Sequence, residues 1–157
     1  AAAGGAVGKL RFDPMAMLPF CGYNMADYFA HWLSIGEKTS AEKLPQIFFV
    51  NWFRRDNDGR FLWPGYGENS RVLKWVFERI TGKGAAQKTA IGYLPDTNSL
   101  DVTGLTVSKD DLSALLTLDT AGWLEAVPQI REHFANFGDR LPTKLKTSLD
   151  SLESALA

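Results

Sequence analysis

The residues of this chain best suited to binding chemistry are three aromatic side chains and one carboxamide within residues 51–69. They are Phe53, Phe61, Tyr66 and Asn69. Aromatic faces can stack on a flat heterocycle, and a carboxamide can donate and accept hydrogen bonds at a base edge at once. These residue types, spaced around a tight turn, predict a binding site for a nucleotide base.

Each of these residues also has an ordinary structural explanation. Aromatic side chains dominate protein cores, and spacing alone favours a hairpin whose rings fill the core. Asn69 directly precedes Ser70-Arg71-Val72-Leu73 and is well placed to cap a helix N-terminus. The two roles of Asn69 compete, because one side-chain oxygen would have to serve both the helix backbone and the base.

The chain around the candidate site is predicted to turn back on itself. The continuous apolar run Ile47–Val50 predicts a buried strand. Asp56-Asn57-Asp58-Gly59 is strong turn chemistry, and Phe61–Trp63 is predicted to be the return strand. The four neighbouring arginines are expected to be solvated or to pair with carboxylates, and the alternative is that one of them approaches a phosphate. They are Arg54, Arg55, Arg60 and Arg71.

Helical periodicity dominates the rest of the chain. Lys9–Phe12 is a short strand candidate, after which an amphipathic helix is predicted, with Asn24 as its N-cap and Gly36 as its end. A second helix, ended by Gly82 and Gly84, has its apolar face at Leu73, Val76, Phe77 and Ile80. Residues 85–105 are predicted to be loop with short extended pieces.

The C-terminal third is predicted to be entirely helical. Ser108-x-x-Asp111 resembles a capping box. Pro128 is expected to kink or break the helix that follows. Two apolar helical faces are predicted, one at Trp123, Val127, Ile130, Phe134 and Phe137 and one at Leu145, Leu149, Leu152 and Leu156. We therefore expect an α+β fold, with short mixed strands, packed helices and an all-helical C-terminal tail.

Composition excludes some partners. The chain has 157 residues, of which 45% are hydrophobic, enough for one domain with a real core. The net charge is −1 and no long basic run is present, so a nucleic-acid partner is not expected. No apolar run is long enough to span a membrane. The single cysteine, Cys21, is expected to be a buried structural thiol.

Three local patterns imitate other sites and fail. Residues 65–70 begin like a dinucleotide fingerprint but end in serine. Residues 82–89 imitate a phosphate-binding loop, yet Gln87 stands where its second glycine belongs. Residues 56–59 hint at a calcium loop whose other ligands are missing. His31 and His133 are expected to occupy ordinary helix positions, and no metal-binding or catalytic residue is predicted.

Two long motifs resemble a known family. The first motif, from Asn51 to Leu73, is similar to the guanine-binding segment of GTP-dependent phosphoenolpyruvate carboxykinase; it reads N-W-F…F-L-W-P-G-Y-G-E-N-S-R-V-L. The second motif that matches this family lies at residues 12–24 and reads F-D-P-M-A-M-L-P-F-C-G-Y-N. The resemblance, to a bacterial-looking member, runs over residues 1–157. It implies that Phe53, Phe61 and Tyr66 surround guanine and that Asn69 hydrogen-bonds it. Tyr66 stands where many relatives would have phenylalanine.

The resemblance also implies a role for the whole enzyme. The family converts oxaloacetate and GTP to phosphoenolpyruvate, carbon dioxide and GDP in cytosolic gluconeogenesis, with Mn²⁺ and with Mg²⁺ accompanying the nucleotide. Its phosphate loop, metal ligands and oxaloacetate-binding arginines would lie upstream, in the missing N-terminal part of the same protein. Residues 1–9 would be the remnant of a mobile active-site lid, and residues 10–157 the nucleotide-binding portion.

Two alternatives remain beside this interpretation. One is a stand-alone guanine-nucleotide binding module without catalysis. The other is a structural domain whose aromatic residues are core. Base-selective binding would separate these two, and upstream catalytic residues would separate the enzyme from the module.

Overall fold

A computed structural model of the chain describes Phe12 and residues 20–157. The described helices are α1 (Met25–Gly36), α2 (Asn69–Ile80), α3 (Lys109–Leu116), α4 (Thr120–Ala135) and α5 (Thr143–Leu156). Two strands, β1 (Ala86–Thr89) and β2 (Gly92–Pro95), form a small antiparallel sheet. This mixture of helices and one small sheet is compatible with the predicted α+β class.

The chain divides into two compact units. One unit combines Ala1–Leu44 with Thr120–Ala157, and the other is Pro45–Asp119. The predicted division into residues 1–9 and 10–157 has its boundary outside the described residues, as does most of the Lys9–Phe12 strand candidate. Both stay predictions.

The first unit is helical. Asn24 caps α1 as predicted, because its Oδ1 accepts a hydrogen bond from the Ala26 backbone N–H at 2.8 Å. Helices α4 and α5 pack together, and Arg131 of α4 pairs with Asp150 and Glu153 of α5 at 2.9 and 2.6 Å. The buried apolar residues of this unit are Met25, Ala26, Val127, Leu141, Leu149 and Leu156.

The apolar faces predicted for α4 and α5 are confirmed with two adjustments. Helix α4 runs through Pro128 without a break. It ends at Ala135, so Phe137 lies beyond it and precedes the 3-10 turn Gly138–Arg140. Val127 is nearly inaccessible, and Leu149 and Leu156 are buried on α5. In α1, the apolar face predicted from helical spacing is only half-buried, and its Trp32 is exposed; the residues of that face are Met25, Tyr28, Phe29, Trp32 and Leu33.

The second unit holds the candidate site. Its buried apolar residues are Leu62, Trp63, Trp75 and Leu100. A 3-10 turn, Tyr66–Glu68, leads directly into α2. The β1–β2 hairpin pairs Ala86 with Pro95 and Thr89 with Gly92, so two short extended pieces do occur within residues 85–105, and they pair as a regular hairpin.

Two predictions for this unit are wrong. Ile47–Val50 is not a strand, since it pairs with no other strand among the described residues and Phe49 is 96% exposed. A β-strand needs a partner for its backbone groups, and a hydrophobic run alone does not supply one. Phe61–Trp63 is not a full strand either, because its pairing is the single bridge between Arg55 and Phe61.

Candidate nucleotide-base site

A tight turn held by Asp56 shapes the start of the site. Asp56 Oδ1 accepts hydrogen bonds from the backbone N–H groups of Asp58 and Arg60 at 3.1 and 2.9 Å. The Asp56 N–H donates to the Arg60 carbonyl at 3.0 Å, and Gly59 takes a φ of 82° that favours glycine. The predicted turn is confirmed, and it folds Phe61 back toward Phe53.

Phe53 and Phe61 contact each other at the surface. Their ring centroids are 6.3 Å apart with an interplanar angle of 61°, and Phe53 is 73% exposed. The Phe53 backbone is held by Asn51, whose Oδ1 accepts from the Phe53 N–H at 3.0 Å. The core alternative does not fit Phe53, because a ring that fills a core is not left mostly in solvent.

Tyr66 makes no ring contact with Phe53 or Phe61. It opens the 3-10 turn behind Gly65, whose φ of 103° and ψ of −152° suit glycine almost alone. The Tyr66 side chain is 96% exposed and makes no ring contact within the described residues. The structure therefore brings Phe53 and Phe61 together, and it leaves Tyr66 as a free aromatic face.

Asn69 does not cap α2. It is the first residue of the helix, with helical φ and ψ of −61° and −27°, and the preceding Glu68 makes no side-chain cap. The Asn69 Oδ1 instead accepts a hydrogen bond from Trp63 Nε1 at 3.0 Å. The N-cap alternative is wrong because the 3-10 turn starts the helical backbone before Asn69, which places its side chain beside Trp63.

Two of the four arginines around the site pair with carboxylates as predicted, and the other two make different contacts. Arg60 pairs with Asp111 at 2.7 Å and with Asp56 at 3.0 Å, and Arg71 pairs with Glu68 at 2.6 Å. The guanidinium of Arg55 lies over the Phe61 ring, 4.1 Å from its centroid. In addition, Arg54 donates to the Leu115 carbonyl at 3.3 Å.

One carboxylate at the edge of this network has a shifted pKa. The hydrogen bond from Arg60 and then that from Ser108 hold the pKa of Asp111 below its ordinary value of 3.8. The same contact raises the pKa of Arg60. Ser108 is the N-cap of α3 and its Oγ accepts from the Asp111 N–H at 3.0 Å, which confirms the predicted capping box.

The other candidate patterns form no further site in the part of the chain that the structure describes. The loop Gly82–Ala85 follows α2 and leads into β1, whereas a phosphate-binding loop connects a strand to a helix. His31 and His133 lie in α1 and α4, and His133 stacks on Phe12 with centroids 4.7 Å apart. Cys21 is half-buried, less than predicted, and its thiol contacts Met25 Sδ at 3.3 Å.

No cluster of three or more His, Cys, Asp or Glu side chains within the described residues could hold a metal ion. The described residues therefore do not form a site for the Mn²⁺ and Mg²⁺ that the resemblance implies, and we assign these ions no ligand among them. Separately, none of the described helices is long and apolar enough to cross a membrane.

Sequence reasoning missed the partner of Asn69. Trp63 is buried, and a buried indole N–H needs an acceptor. An asparagine six residues further along the chain, beyond a Pro-Gly pair, is the signal that could have pointed to this contact. Spacing alone did not reveal it, because the contact depends on the path of residues 64–68.

The match to known proteins covers almost the whole chain. Residues 1–155 match the family of the phosphoenolpyruvate carboxykinase C-terminal P-loop domain. The chain therefore belongs to the phosphoenolpyruvate carboxykinase family.

Its relatives identify the branch of the family that it resembles. It is 58% identical, over 99% of its length, to the phosphoenolpyruvate carboxykinase [GTP] of Neocallimastix frontalis. It is 53% identical over 96% of its length to the protein of the same name from Treponema pallidum, and 52% identical over 99% of its length to that from Chlamydia muridarum. The chain spans 26%, 24% and 26% of the lengths of these proteins, respectively.

Proposed function

We propose that this chain supplies the guanine-binding part of a GTP-dependent phosphoenolpyruvate carboxykinase. The whole enzyme converts oxaloacetate and GTP to phosphoenolpyruvate, carbon dioxide and GDP, as a cytoplasmic enzyme of gluconeogenesis. It uses Mn²⁺, with Mg²⁺ accompanying GTP. The family match and the GTP-dependent relatives support this proposal.

The division of labour within that enzyme is also proposed. The chain contributes no catalytic residue and no metal ligand, and the chemistry belongs to the remainder of the same protein. Residues 1–9 belong to the active-site lid, and residues 10–157 adopt the fold of the family's C-terminal nucleotide-binding portion. Because the chemistry belongs to the rest of the protein, the 157-residue chain alone should form no phosphoenolpyruvate.

The observation that carries the base site is the position of four side chains in one unit. Phe53, Phe61 and Tyr66 present exposed aromatic faces, and these stack on a purine ring. Asn69 follows these residues in the sequence and is half-buried, and its Oδ1 accepts a hydrogen bond from Trp63 Nε1. Its NH₂ group can only donate, and within the described residues it has no acceptor.

This donor suits guanine better than adenine. Guanine has a carbonyl oxygen, O6, where adenine has an amino group, so an NH₂ donor matches the first and opposes the second. Stacking does not separate the two bases, because every purine has an aromatic face. We therefore assign affinity mainly to the aromatic side chains and base selectivity to Asn69.

The second candidate, a stand-alone guanine-nucleotide binding module, is not favoured. Each named relative is a carboxykinase of which this chain matches about a quarter. No feature of the structure favours a module over part of the larger enzyme.

Kinetics of the full-length enzyme test the base site. Asn69→Ala should lower kcat/KM for GTP by the equivalent of about 1–3 kcal/mol, because O6 of guanine loses its hydrogen-bond donor. The ratio of kcat/KM for GTP to that for ATP should therefore fall. Asn24→Ala is the matched control, since it removes an asparagine from the start of α1 in the other unit. It should leave the GTP-to-ATP ratio unchanged.

A second substitution tests the stacking role. Phe53→Ala should weaken GTP and ATP alike, by roughly 1–3 kcal/mol, because it removes one stacking face. Tyr93→Ala, an exposed aromatic of β2, serves as control. An unchanged GTP-to-ATP ratio in Asn69→Ala would remove Asn69 from the site, and unchanged nucleotide binding in Phe53→Ala would do the same for Phe53.

A further inference from the structure

The contact between Trp63 and Asn69 determines which end of the carboxamide faces the indole. The Trp63 side chain is only 6% exposed, and its Nε1 lies 3.0 Å from Asn69 Oδ1. An indole N–H is a donor only, so it requires the oxygen of the amide. The oxygen and nitrogen of an asparagine are otherwise hard to tell apart, but here the chemistry of the partner distinguishes them.

The reverse orientation of the amide would be costly. Rotating the Asn69 carboxamide by half a turn would place its NH₂ against the Trp63 N–H, so two donors would face each other. The buried indole would then lack an acceptor, which carries the penalty of an unsatisfied polar group. Trp63 therefore holds Asn69 in the orientation that turns Nδ2 away from the indole.

The backbone between the two residues supports this orientation. Gly65 reverses the chain with a φ of 103°, and the 3-10 turn Tyr66–Glu68 carries it into α2. The Asn69 N–H donates to the Tyr66 carbonyl, so the Asn69 backbone is itself held. Within the described residues, Asn69 Nδ2 has no acceptor, and the side chain is half-exposed. Its donor is therefore available to a ligand.

We propose that Trp63 is a positioning residue that sets base specificity, because by holding the Asn69 oxygen it turns the Asn69 NH₂ donor toward the base. The inference rests on the proposed function, and it names the residue that decides the polarity of the base contact. Trp63 acts through Asn69 and does not touch the base. A freely rotating carboxamide would present its oxygen part of the time, and that oxygen accepts from the amino group of adenine.

The test is the ratio of kcat/KM for GTP to that for ATP in the full-length enzyme. Trp63→Phe keeps an aromatic ring in the core and removes the indole N–H. We expect the ratio to fall roughly fivefold, the effect of one net hydrogen bond, through weaker GTP and stronger ATP use. Trp75→Phe is the matched control. Trp75 is equally buried, at 5% exposed, but its Nε1 donates to the Ala85 carbonyl at 3.0 Å.

A symmetric side chain at position 69 distinguishes a positioning role of Trp63 from a general loss of structure in Trp63→Phe. Asn69→Asp gives both ends of the side chain the same chemistry, so rotation no longer changes what the base meets. In the Asn69→Asp background, Trp63→Phe should leave the GTP-to-ATP ratio unchanged. A ratio that falls equally in both backgrounds would show that Trp63 has only a structural role and would overturn the proposal.

The outcomes also distinguish this proposal from the proposed base site. If Asn69→Ala alters the ratio and Trp63→Phe does not, the base site stands and the role of Trp63 is wrong. If neither alters it, Asn69 is not in the site at all and both fail. Should Trp63→Phe not fold, hydrogen exchange in the unsubstituted enzyme decides. A Trp63 indole N–H that exchanges as fast as a free indole contradicts the contact, and strong protection in both Trp63 and the Trp75 control supports it.

Discussion

Helices α1 and α2 both have an asparagine at their N-terminal end, and the two side chains do different work. Asn24 stands just outside α1 in extended conformation, and its oxygen accepts from a backbone N–H of the first turn. Asn69 stands just inside α2, and its oxygen accepts from the Trp63 indole. A shift of one residue in the start of the helix separates a side chain that caps the helix from one that accepts a hydrogen bond from a buried indole.

The apolar faces of α2 and α5 differ in how deeply they are buried. Both helices have leucine or other apolar residues at helical spacing. On α5, Leu149 is only 5% exposed, whereas Leu73 on α2 is 50% exposed and Phe77 and Ile80 are exposed too. Periodicity tells which residues share a face, and a packing partner decides whether that face is buried.

Truncating one leucine on each helix should show the largest effect. Leu149→Ala should destabilise the 157-residue chain by about 2–5 kcal/mol, because it leaves a cavity in the core between α4 and α5. Leu73→Ala should cost no more than about 0.5 kcal/mol, because its side chain is half in solvent. Urea unfolding of both variants measures the difference. Equal losses would mean that the face of α2 is as buried as that of α5.

Serine substitutions of Asn24 and Asn69 should differ in their effect on stability, by an amount smaller than that between the two leucine variants. Serine caps helices about as well as asparagine, so Asn24→Ser should change stability by less than about 0.5 kcal/mol. Asn69→Ser should cost about 1–3 kcal/mol, because the shorter side chain leaves the Trp63 N–H without its acceptor. Thermal and urea unfolding provide the measurement. A neutral Asn69→Ser would return Asn69 to the role of an ordinary cap.

The smallest effect is expected for the pKa of Asp111, in the first turn of α3. Arg60 keeps the pKa of Asp111 below 3.8, so Arg60→Met should raise that pKa toward its ordinary value, and the Ser108 contact should still hold it somewhat low. A lowered carboxyl pKa contributes stability above the ordinary pKa, and this is lost as the pH falls through the lowered value. NMR titration of the Asp111 carboxyl carbon checks the direction. A pKa that does not move in Arg60→Met would contradict the pairing.

Local sequence signals predicted the helices well. The Asn24 cap, the capping box at Ser108 and the leucine face of α5 all appear in the structure. The two caps and the choice of residues that share one helical face depend on residues within a few positions of one another, so helix geometry sets them. The turn at Asp56 was predictable for the same reason.

Signals that need a distant partner were less reliable. Ile47–Val50 is apolar enough for a buried strand, but no described strand pairs with it. Conversely, Ala86–Thr89 has little strand character in its sequence, yet it forms a hairpin with Gly92–Pro95 because the pairing satisfies the backbone groups of both. Strand formation depends on pairing, which a single segment does not encode.

By itself, the sequence determined the family, the helical segments, the turn, and the set of aromatic and amide residues that we propose for the base site. These depend on residue identity and short-range spacing. Only the tertiary structure decided that Phe53 and Tyr66 face solvent, that α2 begins before Asn69, and that Trp63 engages the Asn69 oxygen. Exposure depends on what else packs nearby, and the direction of an amide depends on a partner brought close by the folded path of the chain.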